Sequence, residues 1–134
     1  MSKVWLITGS SRGLGRALAE AVLASGDQVV ATARDIAALD VTDAAAARAA
    51  VAFAVERFGR LDVVVNNAGY ADAGSFEEMA PEVFDAQMQT NFYGVVNVTR
   101  AASMTALSAN DAPVSRWHQR QWQQWTMRGA LVMR

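Results

Sequence analysis

The sequence predicts an α/β fold, a doubly wound parallel sheet of about three strands flanked by helices, and three observations lead there. The apolar run Val4-Trp5-Leu6-Ile7 passes directly into Thr8-Gly9-Ser10-Ser11-Arg12-Gly13-Leu14-Gly15, a glycine-rich turn of the kind that joins a buried strand to a helix. Extended and helical apolar periods then alternate along the chain, as a parallel sheet with crossover helices requires. Finally, Val63-Val64-Val65 is a continuous rather than an alternating apolar run, which suits a parallel strand covered on both faces.

Val4 to Thr8 reads as the first strand, and Leu14, Leu18, Ala21 and Val22 recur at helical spacing until Gly26 stops the helix. Gln28 to Ala33 is the second strand. These pieces form a right-handed βαβ unit with the glycine turn at the carboxyl end of its first strand, where ligands bind in such sheets. With Thr42 or Asp43 as N-cap, Ala47, Val51, Val55 and Phe58 mark a second helix that Gly59 ends. Leu61 to Asn66 is the third strand, Asn67 to Ala80 a loop, and Pro81 a first helical position. Phe84, Met88, Val95, Val98 and Ala102 outline one long helix containing Asn91 and Gly94. Glycine inside a helix costs about 1 kcal/mol against alanine, so Gly94 is expected to have a packing reason. From Ser103 onward no period survives, which divides the chain into residues 1–102 and a tail, residues 103–134, disordered or weakly helical.

A chain of 134 residues, 52% hydrophobic and 19% charged, is one domain's worth of ordinary globular composition. No apolar run reaches bilayer length, and the N-terminus has no basic flank followed by a long apolar stretch, so a cytoplasmic protein without a membrane partner is expected. Zero cysteines and a single histidine, His118, argue against disulfides, thiolate chemistry and any metal site. The net charge of −1 argues against a nucleic-acid partner. That charge is uneven: residues 1–100 carry eight basic and twelve acidic side chains, residues 101–134 four and one, and three of the four tryptophans (Trp117, Trp122, Trp125) lie in the tail. These tryptophans keep no clean helical face, which weighs against a membrane-surface or nucleic-acid segment.

Set between a buried strand and an amphipathic helix, the turn has the context that makes a glycine motif mean dinucleotide binding. The free N–H groups of the first helical turn face an incoming pyrophosphate. Thr8-Gly9-x-x-x-Gly13-x-Gly15 resembles the cofactor motif of the short-chain dehydrogenase/reductase family. Three further matches follow in order: Asp40-Val41 resembles the family's adenine-contacting pair, Asn66-Asn67-Ala68-Gly69 its Asn-Asn-Ala-Gly signature, and Asn91 in Thr90-Asn91-Phe92-Tyr93-Gly94 its active-site asparagine. The resemblance covers roughly residues 3–102 and implies a partial Rossmann fold. It also implies that Gly9, Gly13 and Gly15 bind pyrophosphate, that Ser11, Arg12 and Leu14 of the same turn belong to the cofactor site, that Asp40 and Val41 bind adenine, that Asn67, Ala68 and Gly69 line the nicotinamide side, and that Asn91 belongs to the catalytic group. Relatives associate through the long helix, so a homo-oligomer is one expectation. Arg34 ends the second strand where an arginine accommodates a 2′-phosphate and an acid would read a 2′-hydroxyl. With Arg12 it favours NADP over NAD, against the alternative of two solvated arginines.

Two departures qualify the resemblance. Only five residues separate Arg34 from Asp40, where the family has a helix and another strand. The family's general acid/base is a tyrosine whose pKa is lowered by a lysine four residues later. Here the tyrosines, Tyr70 and Tyr93, are followed at that spacing by Gly74 and Asn97, and the sole lysine is Lys3. The chain therefore reads as a truncated member: an oxidoreductase by resemblance, moving a hydride between NADP(H) and an alcohol or carbonyl substrate, but inactive in this form. The alternative is a non-catalytic dinucleotide-binding remnant or partner subunit. Codons permitted for residues 117 to 125, shifted by one base, can encode Gly-Ile-Asn-Val-Ser-Gly-Ser-Ser, similar to the family's next strand and its serine, so the tail reads as an out-of-frame remnant. The strand order second, first, third would leave Val63 to Val65 at an apolar edge; Ala130-Leu131-Val132-Met133 is the one candidate to cover it, with a disordered tail preferred.

Overall fold

The computed structural model describes residues 2–33 and 39–109, the last four of these by backbone alone. The expectations for Arg34, for residues 110–134 and for a strand at Ala130 to Met133 lie outside the described residues. Two units divide the chain, residues 1–103 and residues 104–134, and the sheet, the core and the site belong to the first.

Strands β1 (Val4–Thr8), β2 (Gln28–Thr32) and β3 (Val63–Val65) form one parallel sheet in the order β2-β1-β3. The register aligns Leu6 with both Val30 and Val64, and Ile7 with Val65. Because successive side chains point to opposite faces, the sheet is apolar on both sides. Leu6, Val30 and Val64 pack with Ala47, Val51 and Ala54 of helix α2 (Ala44–Phe58) and with Val98 and Ala101 of helix α4 (Gly94–Ala109). Trp5, Ile7, Val29 and Val65 pack with Leu18, Ala19 and Val22 of helix α1 (Gly13–Ala24). Helices thus cover both faces, which is the doubly wound arrangement.

Local chemistry sets the ends. The Asp43 carboxylate caps α2 by accepting from the N–H groups of Ala45 and Ala46, and Gly59 ends that helix in the left-handed region at φ 74°. After α1 the left-handed residue is Gly26, φ 85°. Pro81 opens helix α3 (Pro81–Met88), whose last turn passes into a π-helical turn, Gln89–Tyr93. There the Gly94 N–H reaches back five residues to the Gln89 carbonyl before α4 begins.

Three local expectations are corrected. The face that α1 buries is Gly15, Ala19 and Val22, while Leu14 is 77% exposed; the first turn lies so close to the ends of β1 and β3 that small residues face the sheet. In α2, Ala47 and Val51 are buried as expected, and the third buried position is Ala54 rather than Val55. The single long helix is instead three helical pieces. Its π turn spends an extra residue per turn, which rotates Phe84 and Met88 out of line with Val98 and Ala101, and α3 buries no residue.

Candidate functional site

The site begins where β1 ends. Thr8 is buried, and its hydroxyl accepts from the N–H groups of Asn67 and Ala68, each at 3.0 Å, while donating to the Val65 carbonyl at 3.3 Å. Asn67 returns the contact: its Nδ2 donates to the carbonyls of Thr8 and Gly9 at 3.0 and 3.1 Å. Ser10, also buried, donates from both N and Oγ to the Thr32 carbonyl at 3.1 Å, fastening the turn to the end of β2. The exits of all three strands are thereby tied to one turn.

That turn has the geometry of glycine. Gly9 and Gly13 lie at φ 65° and 57°, where a side chain is strained. A Cβ on Gly15 would lie 2.5 Å from the Gly9 carbonyl oxygen and would overlap Asn67 Nδ2; one on Gly9 would lie 2.8 Å from Ala68 Cα. Strand exit, helix start and the Asn67–Ala68 segment therefore approach more closely than side chains allow. Arg12, the N-cap of α1, is extended and makes no side-chain cap. The first-turn N–H groups lack intrahelical partners, and the helix dipole adds partial positive charge there. Such a turn fits an anionic phosphate group. Ser11, Arg12, Gly13 and Leu14 are all exposed at its rim.

Gly69 backs onto the π turn, where its Cβ would meet Asn91 Oδ1 at 2.9 Å. Both ends of the Asn91 amide are engaged: Oδ1 accepts from Tyr70 N at 3.1 Å and Nδ2 donates to Tyr70 O at 2.7 Å. Asp40 accepts from the Thr42 N–H and hydroxyl at 2.9 and 2.8 Å. Val41 is buried in the core, its carbonyl accepting from Asn97 Nδ2 at 3.0 Å, and a Cβ on Gly94 would lie 2.6 Å from Val41 Cγ2. The packing reason expected of Gly94 is thus the approach of α4 to Val41.

Gly9, Gly15, Asn67 and Ala68 are brought into direct contact, and Gly69 with Asn91. Asp40 and Val41 are fixed instead against α4 and the start of α2. Sequence reasoning did not single out the roles of the Thr8 hydroxyl, Ser10, Asn97 and Gln87. For Thr8 the signal was its place at the buried end of β1, where a hydroxyl must find partners. Among the described residues no group of three His, Asp or Glu could hold a metal, and no helix is long and apolar enough to cross a membrane.

Residues 33–113, more than half of the chain, match the short chain dehydrogenase family. The chain belongs to this family of oxidoreductases. A similar protein, oxidoreductase BOA17 of Botryotinia fuckeliana, is 47% identical over 118 aligned positions that take in 75% of this chain and 43% of that protein. The alignment is longer than the share of this chain it uses, so that relative carries residues with no counterpart here. Among solved structures, a short-chain dehydrogenase from Streptomyces avermitilis superposes with a TM-score of 0.73 at 38% identity, covering 78% of this chain and 45% of that one. A 3-ketoacyl-(acyl-carrier-protein) reductase from Brucella melitensis, solved with NADH, gives 0.69 at 31% identity over 73% of this chain and 47% of that one. The chain spans less than half the length of each of these three proteins. Short-chain dehydrogenases use nicotinamide dinucleotide cofactors.

Proposed function

We propose that this chain binds a nicotinamide dinucleotide at the glycine turn, NADP(H) in preference to NAD(H), and by itself carries out no hydride transfer. The observation that carries the binding is the interlock of Gly9, Gly15, Asn67 and Ala68 beside an α1 N-terminus without a side-chain cap. Gly9, Gly13 and Gly15 hold the pyrophosphate, with Ser11 and Leu14 of the same turn also at the cofactor, Arg12 and Arg34 hold the 2′-phosphate, Asp40 and Val41 the adenine, and Asn67, Ala68 and Gly69 the nicotinamide side. The chemistry such a cofactor would supply when bound is hydride exchange with a carbonyl or an alcohol, which this chain does not complete by itself. The protein's part is to bind and orient that ring, and Asn91 serves it by holding Tyr70. Absence of turnover is supported by the residue inventory: neither Tyr70 nor Tyr93 has a lysine four residues later, and Lys3 precedes β1 at the end remote from the glycine turn.

A second reading, an active oxidoreductase passing hydride between NADP(H) and an alcohol or carbonyl, is favoured by family membership itself. Titration of NADPH, followed by its own fluorescence, is expected to saturate, with NADH weaker by on the order of tenfold, the scale of charge-assisted contacts to a 2′-phosphate. NADPH absorbance is expected to stay constant with a panel of ketones in protein freed of host reductases. A folded chain that shows no saturable binding sinks the dinucleotide reading, and ketone-dependent NADPH oxidation makes the second reading the right one.

A further inference from the structure

Gln87, near the end of α3, repeats four residues earlier what Asn91 does in the π turn. Its Oε1 accepts from Asp72 N at 3.1 Å, and its Nε2 donates to Asp72 O at 3.4 Å and to Met79 Sδ at 3.9 Å. Two primary amides on one helical stretch therefore each pair with both backbone groups of alternate loop residues, Tyr70 and Asp72. The spacings agree: four helical residues rise about 6 Å, and two extended residues span about 6.6 Å. In an extended chain the N–H and C=O of alternate residues point to the same side. The helix thus offers Tyr70–Asp72 the acceptors and donors that a neighbouring strand would offer.

The ladder starts next to Gly69, whose close approach to Asn91 Oδ1 joins it to the Asn67–Gly69 segment. One rung at Tyr70 fixes a point and leaves the following chain free to swing. A second rung at Asp72 fixes a direction. We propose, resting on the dinucleotide reading above, that Gln87 is a positioning residue: with Asn91 it forms a two-rung amide ladder that holds Tyr70–Asp72 extended and so fixes the nicotinamide-side wall of the site.

Gln87→Leu keeps the side chain's bulk and removes both hydrogen-bonding functions; Gln87→Glu keeps the acceptor for Asp72 N–H and loses the donor. Amide exchange at Tyr70 and Asp72 and NADPH affinity are read in wild type and both variants. In Gln87→Leu, Asp72 protection is lost, Tyr70 protection persists, and the NADPH dissociation constant rises about three- to tenfold, the scale of one hydrogen bond. Gln87→Glu retains Asp72 protection and an intermediate affinity. A packing role gives the opposite order, with Leu equal to Gln and Glu weakest, and that order overturns the assignment. So does unchanged NADPH affinity in a Gln87→Leu protein that has lost Asp72 protection, an outcome that leaves the dinucleotide reading standing. Wild-type protein that binds no NADPH overturns both together.

Discussion

The Thr8 side chain is 1% exposed, and its single hydroxyl serves two N–H donors and one carbonyl. Asn67 N has a second acceptor in the Val65 carbonyl at 3.1 Å, so replacing the hydroxyl by a methyl group leaves Ala68 N–H as the group without a partner. An unsatisfied donor of this kind costs about 1–3 kcal/mol. Thr8→Val is therefore expected to lower the unfolding free energy obtained from urea denaturation by that amount and to weaken dinucleotide binding, while Thr8→Ser stays close to wild type. Glycines of the same turn separate two physical causes. At Gly13 a Cβ meets nothing within 4 Å but φ is +57°, so Gly13→Ala costs backbone strain alone, about 1–2 kcal/mol. At Gly15 the obstacle is backbone, the Gly9 carbonyl at 2.5 Å, and neither piece can yield without opening the turn. Gly15→Ala is expected to lose more dinucleotide affinity than Gly13→Ala, by at least about tenfold, in parallel titrations checked by denaturation; equal losses would show that conformation, and not close approach, governs the turn.

At the scale of elements, Gly94 sets helix propensity against packing. Alanine favours a helix by about 1 kcal/mol over glycine, yet its Cβ would lie 2.6 Å from Val41 Cγ2 and 3.0 Å from Val41 Cβ. Val41 is 7% exposed and its carbonyl is held by Asn97, so it has little room to retreat, and overpacking costs about 1–3 kcal/mol. Gly94→Ala is expected to destabilise by on the order of 1 kcal/mol in urea denaturation, and a gain in stability would refute the close approach of α4. The existence and order of the strands were legible because continuous apolar runs flanked by glycines admit few other readings; β1 begins and ends as the sequence predicts, at Val4 and Thr8, whereas β3 is confined to Val63–Val65 of the expected Leu61 to Asn66. Helix faces were less so. Counting apolar side chains favours large ones, and α1 turns Gly15, Ala19 and Val22 inward because the turn leaves no room for Leu14. The π turn carries no local mark either, since its hydrogen-bond shift is accompanied by tertiary contacts, Asn91 to Tyr70 and Gly94 to Val41. Gln87 escaped notice for a related reason: a polar residue on an amphipathic helix reads as a solvated face until its partner, 15 residues earlier in the chain, is known.

For the whole unit, β1 is the shared member of every strand pair, and it is held at both ends. At its carboxyl end Thr8 and Asn67 join it to β3. At its amino end two carboxylates do the work: Asp27, just before β2, accepts from Lys3 N at 2.8 Å and Trp5 Nε1 at 2.9 Å, and Asp62, just before β3, accepts from Val4 N at 2.8 Å and pairs with Arg60. The Lys3 N–H foremost, and then the Trp5 indole, hold Asp27 below its ordinary value of 3.8. Asp62 is lowered chiefly by the Arg60 guanidinium and then by the Val4 N–H. A carboxylate whose folded pKa is depressed contributes stability that is fully present above its unfolded value and is lost as pH falls through the folded one. Urea midpoints are therefore expected to be level between pH 7 and 5 with respect to these two groups and to fall below about pH 4. Asp27→Asn and Asp62→Asn should each remove part of that acid limb. Salt should reduce the Asp62 part more, because its leading partner is a surface charge and the leading partner of Asp27 is a backbone dipole. The Trp5 indole N–H resonance supplies a local check, since it reports the Asp27 carboxylate directly and should shift in the same acid range. A limb left unchanged by both substitutions would mean that the amino end of β1 is held by its strand neighbours alone.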